Sequence, residues 1–234
     1  MAYNDKKITV CITSFNRFDL LKQTIDSFRN LNSFPVERFI VIEDSTVSEM
    51  KDKILQEYGS TIDLIFNDQR IGQAPSLDKM YKTVNTQYIF HTEDDYLYSG
   101  NPNFLKESFD LLEENIGINQ VWIKHFSDFV GDSQNQFEDQ VLTTSGGIKY
   151  KMLKQNFSGW CGFSWFPGLR RTEDYNKMFP NGYGQFITPQ YLISGVQTEG
   201  QCNTHAQAQG YRAAYLFNGT ACNHKGINGR ETYK

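Results

Sequence analysis

The chain has 234 residues, 39% hydrophobic and 15% aromatic, enough to pack one large α/β domain or two small ones. A formal net charge of −4 without any sustained basic run argues against a nucleic-acid binder that works by neutralising phosphates. No signal-peptide pattern opens the sequence and no apolar run approaches the roughly 18 residues of a membrane helix, so a cytoplasmic location is expected.

Residues 7–14, KITVCITS, are a β-rich apolar run with polar ends, the first expected strand. Asn16 follows as a helix cap with Asp19 three residues on. Phe18, Leu21, Ile25 and Phe28 then give one apolar helical face through about residue 30. A second strand, residues 39–43, ends in acid at Glu43 and Asp44. A helix over about 47–58 leads to a third strand at 61–67, and a polar loop with Arg70 and Gly72 leads to a helix over about 76–84. The fourth strand opens the stretch 87–98, QYIFHTEDDYLY, and breaks off in Glu93, Asp94 and Asp95. Strands alternating with helices in this way predict a largely parallel, doubly wound sheet. No Gly-x-Gly-x-x-Gly follows the first strand, which disfavours a dinucleotide-binding domain, and no P-loop is present.

Beyond the acids the periodicity loosens. A helix is expected over 104–114, a strand over 120–126, and a polar, glycine-dotted flap over 128–149. Residues 156–167 gather Trp160, Phe163, Trp165 and Phe166; helices are read over 168–179 and 197–210, and a last strand over 211–217. Four cysteines, Cys11, Cys161, Cys202 and Cys222, have neither CxxC nor metal-finger spacing and read as free thiols of a reducing compartment. No internal repeat or linker composition separates the halves, so they form one continuous unit.

Three consecutive carboxylates just past a buried strand raise one another's pKa. A hard divalent cation, Mg²⁺ or Mn²⁺, relieves that repulsion when one or two carboxylates hold it and phosphate oxygens complete its shell. In open α/β sheets ligands sit beyond the carboxyl ends of the strands, where this cluster falls. Alone, such a tripeptide is more often a solvated acidic turn.

Taken in order, ITSFNRFDLLKQTIDSF, VIEDS, NDQRIGQAPSLDKMY, the Glu93-Asp94-Asp95 cluster, GLRRTEDY, TEGQCNTHAQAQGYRAAYL and NHKG resemble the GT-A-fold nucleotide-sugar glycosyltransferases, most closely family 2. The resemblance covers nearly the whole chain. It implies a Rossmann-like, mostly parallel doubly wound sheet flanked by helices, with a donor-binding half at 1–98 and an acceptor-binding, catalytic half at 99–234. It departs from the family at Thr13-Ser14-Phe15-Asn16, where Pro-x-Tyr-Asn is frequent, at the acidic cluster, where Asp-x-Asp is commoner, and at Thr198-Glu199-Gly200, where Glu-Asp is usual.

On that resemblance, Thr13, Phe15 and Asn16 flank the nucleoside base and Asp44 accepts from a base N–H. Arg70, Asp78 and Asp94 contact the donor; Glu93, Asp95 and the late His224 hold Mn²⁺ or Mg²⁺. Glu199 is the base that deprotonates the acceptor hydroxyl, with Asp174 in reserve. Trp160 and Trp165 stack on the acceptor sugar, although two of the four clustered aromatics are expected in the core instead. The activity implied is transfer from a nucleoside diphosphate-sugar, UDP-linked by preference, to a saccharide or glycoconjugate hydroxyl with inversion, as in polysaccharide biosynthesis. Peripheral contact with a membrane is compatible with it. A sugar nucleotidyltransferase would carry a glycine-rich basic loop after the first strand, which ITSFNR is not. A non-catalytic carbohydrate-binding module or degenerate transferase would bind through the aromatic cluster and tolerate loss of the acids.

Overall fold

A computed structural model describes residues 6–129, 135–155, 162–187 and 195–226. The alternation of apolar side chains along the first strands builds the fold. β1 (Ile8–Ser14) sends Ile8, Val10 and Ile12 to one face and Cys11 to the other; β2 (Arg38–Glu43) sends Val41 to the first face and Ile40 and Ile42 to the second. Each face thus needs a cover of helices. On the first face lie α1 (Phe18–Leu31), α2 (Ser48–Tyr58) and α4 (Phe104–Glu114), contributing Leu21, Ile25, Phe28, Ile54, Leu111 and Leu112. The second face packs α3 (Gln73–Tyr81), α5 (Thr172–Met178) and α6 (Gly195–Ala208). At the centre of the first layer the Phe28 ring meets Phe39, Phe90, Tyr98 and Phe104 at 5.0–5.5 Å between centroids. Burying each such ring contributes roughly 1.5–3 kcal/mol.

β3 (Asp63–Phe66) and β4 (Tyr88–Glu93) complete the parallel part, and the order β3-β2-β1-β4 reverses direction between β1 and β4. β6 (Ile118–Trp122) and β10 (Arg212–Leu216) extend it, and β8 (Lys149–Met152) and β7 (Leu142–Thr143) close the edge antiparallel. A separate pair joins β5 (Tyr96–Tyr98) to β11 (Cys222–His224). This is the mixed α/β architecture expected, with a large, mostly parallel central sheet flanked by helices. Among the described residues no helix is long and apolar enough to cross a membrane. Cys11, Cys202 and Cys222 are free and buried, whereas Cys161 lies outside the described residues.

Four local expectations need correction. Residues 168–179 are not one helix: β9 (Gly168–Arg171) inserts antiparallel between β4 and β6 before α5 begins. A Cβ on Gly168 would come within 2.4 Å of the Val121 carbonyl oxygen, so only glycine lets the strands approach there. The strand read at 120–126 runs instead from Ile118 to Trp122. Of the flap, residues 130–134 lie outside the described residues, and 142–152 form the antiparallel edge ribbon of β7 and β8. Finally, Asn16 does not cap α1. It adopts φ 55°, Arg17 occupies the cap position without a side-chain cap bond, and the Asn16 amide donates to Glu43 Oε1 at 3.0 Å.

Candidate active site

The strand order reverses between β1 and β4, and in open α/β sheets the crevice beyond the carboxyl ends of the strands at such a point is where ligands bind. Thr13, half-buried, pairs in register with Glu93 on one side and Ile42 on the other, and Ser14 pairs with Glu43. Among the described residues the only non-glycine positions with positive φ are Asn16 and Thr46 (φ 63°), both just past strands at this end. A β-branched residue in that region is strained, and such strain concentrates at functional sites.

The three acids here have different surroundings. Asp94 is fully buried and accepts from the Phe15 amide at 3.2 Å and from Arg17, whose Nε and Nη2 fork its two oxygens. Burial pushes its pKa up against the pull of Arg17. Asp95 accepts from Arg17 Nη1 at 2.9 Å on Oδ2, and His224 Nε2 lies 3.2 Å from the same oxygen. Burial would raise the Asp95 pKa, but His224 and Arg17 outweigh it and hold the carboxyl below the usual range. Its Oδ1 is buried with no partner. Glu93 accepts from Gln73 Nε2 at 2.6 Å; burial, then the charges of Asp95, Glu199 and Asp94, raise its pKa well above that of an ordinary glutamate.

Glu199, on α6, reaches the same crevice from the other layer. Its Oε1 accepts from Ser164 Oγ at 2.7 Å and the Trp165 amide at 2.6 Å, and burial raises its pKa against Ser164, Trp165 and Lys124. Lys124, just past β6, lies within the field of Glu93 and Glu199, with its ammonium 4.0 Å from the Phe166 ring centroid and 4.5 Å from that of Phe129. Arg17, Gln73 and Lys124 escaped the sequence reading. The one signal for Arg17 was a cation immediately after the first strand, opposite acids yet to come.

Other expected site residues have different occupations. Asp44 is nearly saturated: Oδ1 accepts from Asn67 Nδ2 and the Ile71 amide, both at 2.9 Å, and Oδ2 from the Gly72 amide at 2.8 Å. It fastens the loop that carries Arg70, whose guanidinium lies 4.2 Å from the Phe15 ring centroid. Asp78 is a staple, accepting from Tyr175 Oη at 2.9 Å and the Tyr183 and Gly184 amides at 2.7 Å. Asp174 pairs with Arg171 at 2.7 Å, where α5 follows the end of β9 that pairs with Tyr88, the start of β4. The acids stand at the opposite end of β4, so Asp174 cannot serve as a base there. Trp165 is 2% exposed and packs on Tyr183 at 5.8 Å, in the core with Phe163 rather than as an open platform. Trp160 lies outside the described residues.

The donor set suits a hard cation in part. Asp95 and His224 offer a carboxylate and an imidazole at one point, the orphaned Asp95 Oδ1 awaits a partner, and a Cβ on Gly226 would fall 2.1 Å from Asp95 Oδ2. Among the described residues no three His, Cys, Asp or Glu side chains form a metal cluster. Two protein ligands completed by phosphates is the habit of Mg²⁺ and Mn²⁺ rather than of a closed structural site.

Residues 9–178 match the family described as glycosyl transferase family 2. Among solved structures, Staphylococcus aureus (S. aureus) TarS 1-349 superposes with a TM-score of 0.65 at 14% identity, over 94% of this chain and 60% of that one. TarS 1-349 in complex with UDP-GlcNAc gives 0.63 at 15%, over 97% and 62%. The mannosyltransferase PcManGT from Pyrobaculum calidifontis, in complex with GDP-Man and Mn²⁺, gives 0.61 at 15%, over 94% and 56%. At these identities the likeness establishes a common fold, and this chain spans less than two thirds of each of those structures. No curated protein matches the sequence.

Proposed function

The chain belongs to glycosyl transferase family 2, and from that premise we propose that it transfers a sugar from a nucleoside diphosphate-sugar to a hydroxyl of a saccharide or glycoconjugate. One observation carries this reading. Asp95, with an orphaned oxygen and His224 beside it, stands at the sheet's switch point in the same crevice as the half-used carboxylate of Glu199. A UDP-sugar is the favoured donor, in keeping with the UDP-GlcNAc bound by a structure of the same fold.

Residues 1–98 form the donor half: Thr13 and Phe15 flank the base, and Arg70, stacked on Phe15, closes over it. Asp44 serves the donor through the loop it fastens. Asp95 and His224 hold Mn²⁺ or Mg²⁺, and Glu93, steadied by Gln73, faces the donor sugar. The cation, when bound, supplies positive charge to the diphosphate leaving group. Residues 99–234 form the acceptor half. Glu199, its Oε1 fixed by Ser164 and Trp165, takes the acceptor hydroxyl proton on Oε2 as the hydroxyl oxygen bonds to the anomeric carbon. The bond to the diphosphate breaks with its electron pair leaving on the diphosphate, and attack from the opposite face inverts the anomeric centre.

The test is a thermal-shift panel of UDP, GDP and dTDP with and without Mn²⁺. UDP should raise Tm only with Mn²⁺, by an increment equivalent to about 2.7 kcal/mol at a hundredfold excess over Kd. Asp95→Ala should abolish the shift. Stabilisation by free sugars and by no diphosphate would overturn the reading in favour of a carbohydrate-binding module.

A further inference from the structure

The acidic cluster already holds a cation. Arg17 is the residue before α1, with its side chain 26% exposed, and its guanidinium spans two consecutive carboxylates. Nε and Nη2 fork Asp94, while Nη1 donates to Asp95 Oδ2 at 2.9 Å. That Asp95 oxygen is the one His224 Nε2 approaches at 3.2 Å. The guanidinium is charged at every accessible pH. The carboxylate oxygen best placed to share a divalent cation with His224 is therefore in direct contact with a fixed positive charge.

We propose that Arg17 is a resident counter-cation that makes divalent-cation binding conditional on the donor's diphosphate. The inference rests on the functional reading above and assigns within it a positioning residue that the family resemblance did not indicate. A lone divalent cation arriving at Asp95, on the shared Oδ2 or on Oδ1 of the same carboxylate, lies in the field of the guanidinium, and in a partly buried site that repulsion is weakly screened. Asp94 gives no relief, because Arg17 and the Phe15 amide already occupy its oxygens. A diphosphate changes the balance twice. It brings negative charge and oxygen ligands for the cation, and it offers Arg17 Nη1 a phosphate oxygen in place of Asp95. The planar fork suits that exchange, since Nε and Nη2 can stay on Asp94. In the absence of donor, Arg17 also offsets the repulsion between Asp94 and Asp95 and leaves no unpaired charge on fully buried Asp94.

Linkage makes this measurable. If the cation and the diphosphate each ease the other's binding, the affinity of either rises by the same factor when the other is present, typically about 5–150-fold. Mn²⁺ titrations read by electron paramagnetic resonance, with and without UDP, give that factor without any assay of transfer. The wild-type protein should bind Mn²⁺ weakly alone and more tightly by a factor in that range with UDP. Arg17→Gln should bind Mn²⁺ more tightly alone, and its coupling factor should fall toward one. Because Arg17→Gln leaves Asp94 buried without its partner, the Arg17→Gln, Asp94→Asn double variant, which removes both charges, provides the same readout in a balanced site. Either variant keeping the wild-type coupling factor overturns the role of Arg17 and leaves the transferase reading standing. A wild-type protein that binds neither UDP nor GDP, with or without Mn²⁺, overturns both.

Discussion

Asp44 and Asp78 on one side, and Asp95 and half-buried Glu199 on the other, are carboxylates of one fold whose oxygens are used differently. The first pair is spent on the protein. Asp44 accepts three protein hydrogen bonds and fastens residues 67–72; Asp78 accepts three and fastens Tyr175, Tyr183 and Gly184 to α3. The second pair keeps an oxygen in reserve: Asp95 Oδ1 has no partner, and both protein donors to Glu199 fall on Oε1. A buried carboxylate can accept about four hydrogen bonds, so three protein donors leave little for a ligand, whereas an unused oxygen leaves a group able to take one. Burial alone does not separate the two kinds.

The largest test of that distinction is Glu199→Gln. The amide oxygen can still accept from Ser164 and Trp165, but the side chain can no longer take a proton. Transfer should fall by about 10²–10⁴ in kcat, while the Mn²⁺-dependent UDP shift persists. The pKa of Glu199 is raised by burial, so the acid limb of the wild-type kcat/KM profile should lie above the usual glutamate pKa of about 4.3. A carboxyl with a raised folded pKa favours the fold fully below its unfolded pKa, and that contribution is lost as pH rises through the folded value. Glu199→Gln should therefore melt higher than wild type at pH 7–8, with the advantage gone near pH 4. Melting curves across pH check this; a lower Tm at pH 8 would return Glu199 to the class of staples.

Asp78→Ala should behave in the opposite way. It leaves Tyr175 Oη and the Tyr183 and Gly184 amides without an acceptor in a buried setting. The expected cost is about 3–5 kcal/mol of stability in urea unfolding, a large share of the 5–15 kcal/mol typical of a domain. The fraction that remains folded should bind UDP with wild-type affinity. A loss of UDP affinity at unchanged stability would make Asp78 a donor ligand after all.

The same contrast explains what could be read from the sequence. β1 to β4 and the intervening helices are set by local periodicity, and the acids that end β2 and β4 stand where the switch-point rule puts ligands. Saturation is not local. The donors to Asp78 come from residues up to 106 positions away, and those to Asp95 from Arg17 and His224, on two other elements. Arg17 reads as a helix start until Asp94 and Asp95, 77 and 78 residues on, are folded against it. β9 fails for a related reason: residues 168–171 are a strand because β4 and β6 flank them, whereas their composition passes equally for the first turn of α5.

Arg70→Ala is the smallest change and falls between the two classes. The loop that carries Arg70 is held by a staple, Asp44, and its guanidinium lies over Phe15, whose amide donates to Asp94 in the crevice. Arg70 itself is exposed. An exposed cation–π contact contributes about 0.5–1 kcal/mol, and surface substitutions usually shift stability by less than about 0.5 kcal/mol. If Arg70 only covers the bound base, its contacts are equal in ground and transition states, so KM for the donor should rise about 2–5-fold with kcat unchanged. Steady-state kinetics with the UDP-sugar distinguish the alternatives. A fall in kcat would mean that Arg70 reaches the leaving diphosphate. An unchanged KM would mean that the Asp44 loop, for all its hydrogen bonds, ends in a residue the donor never meets.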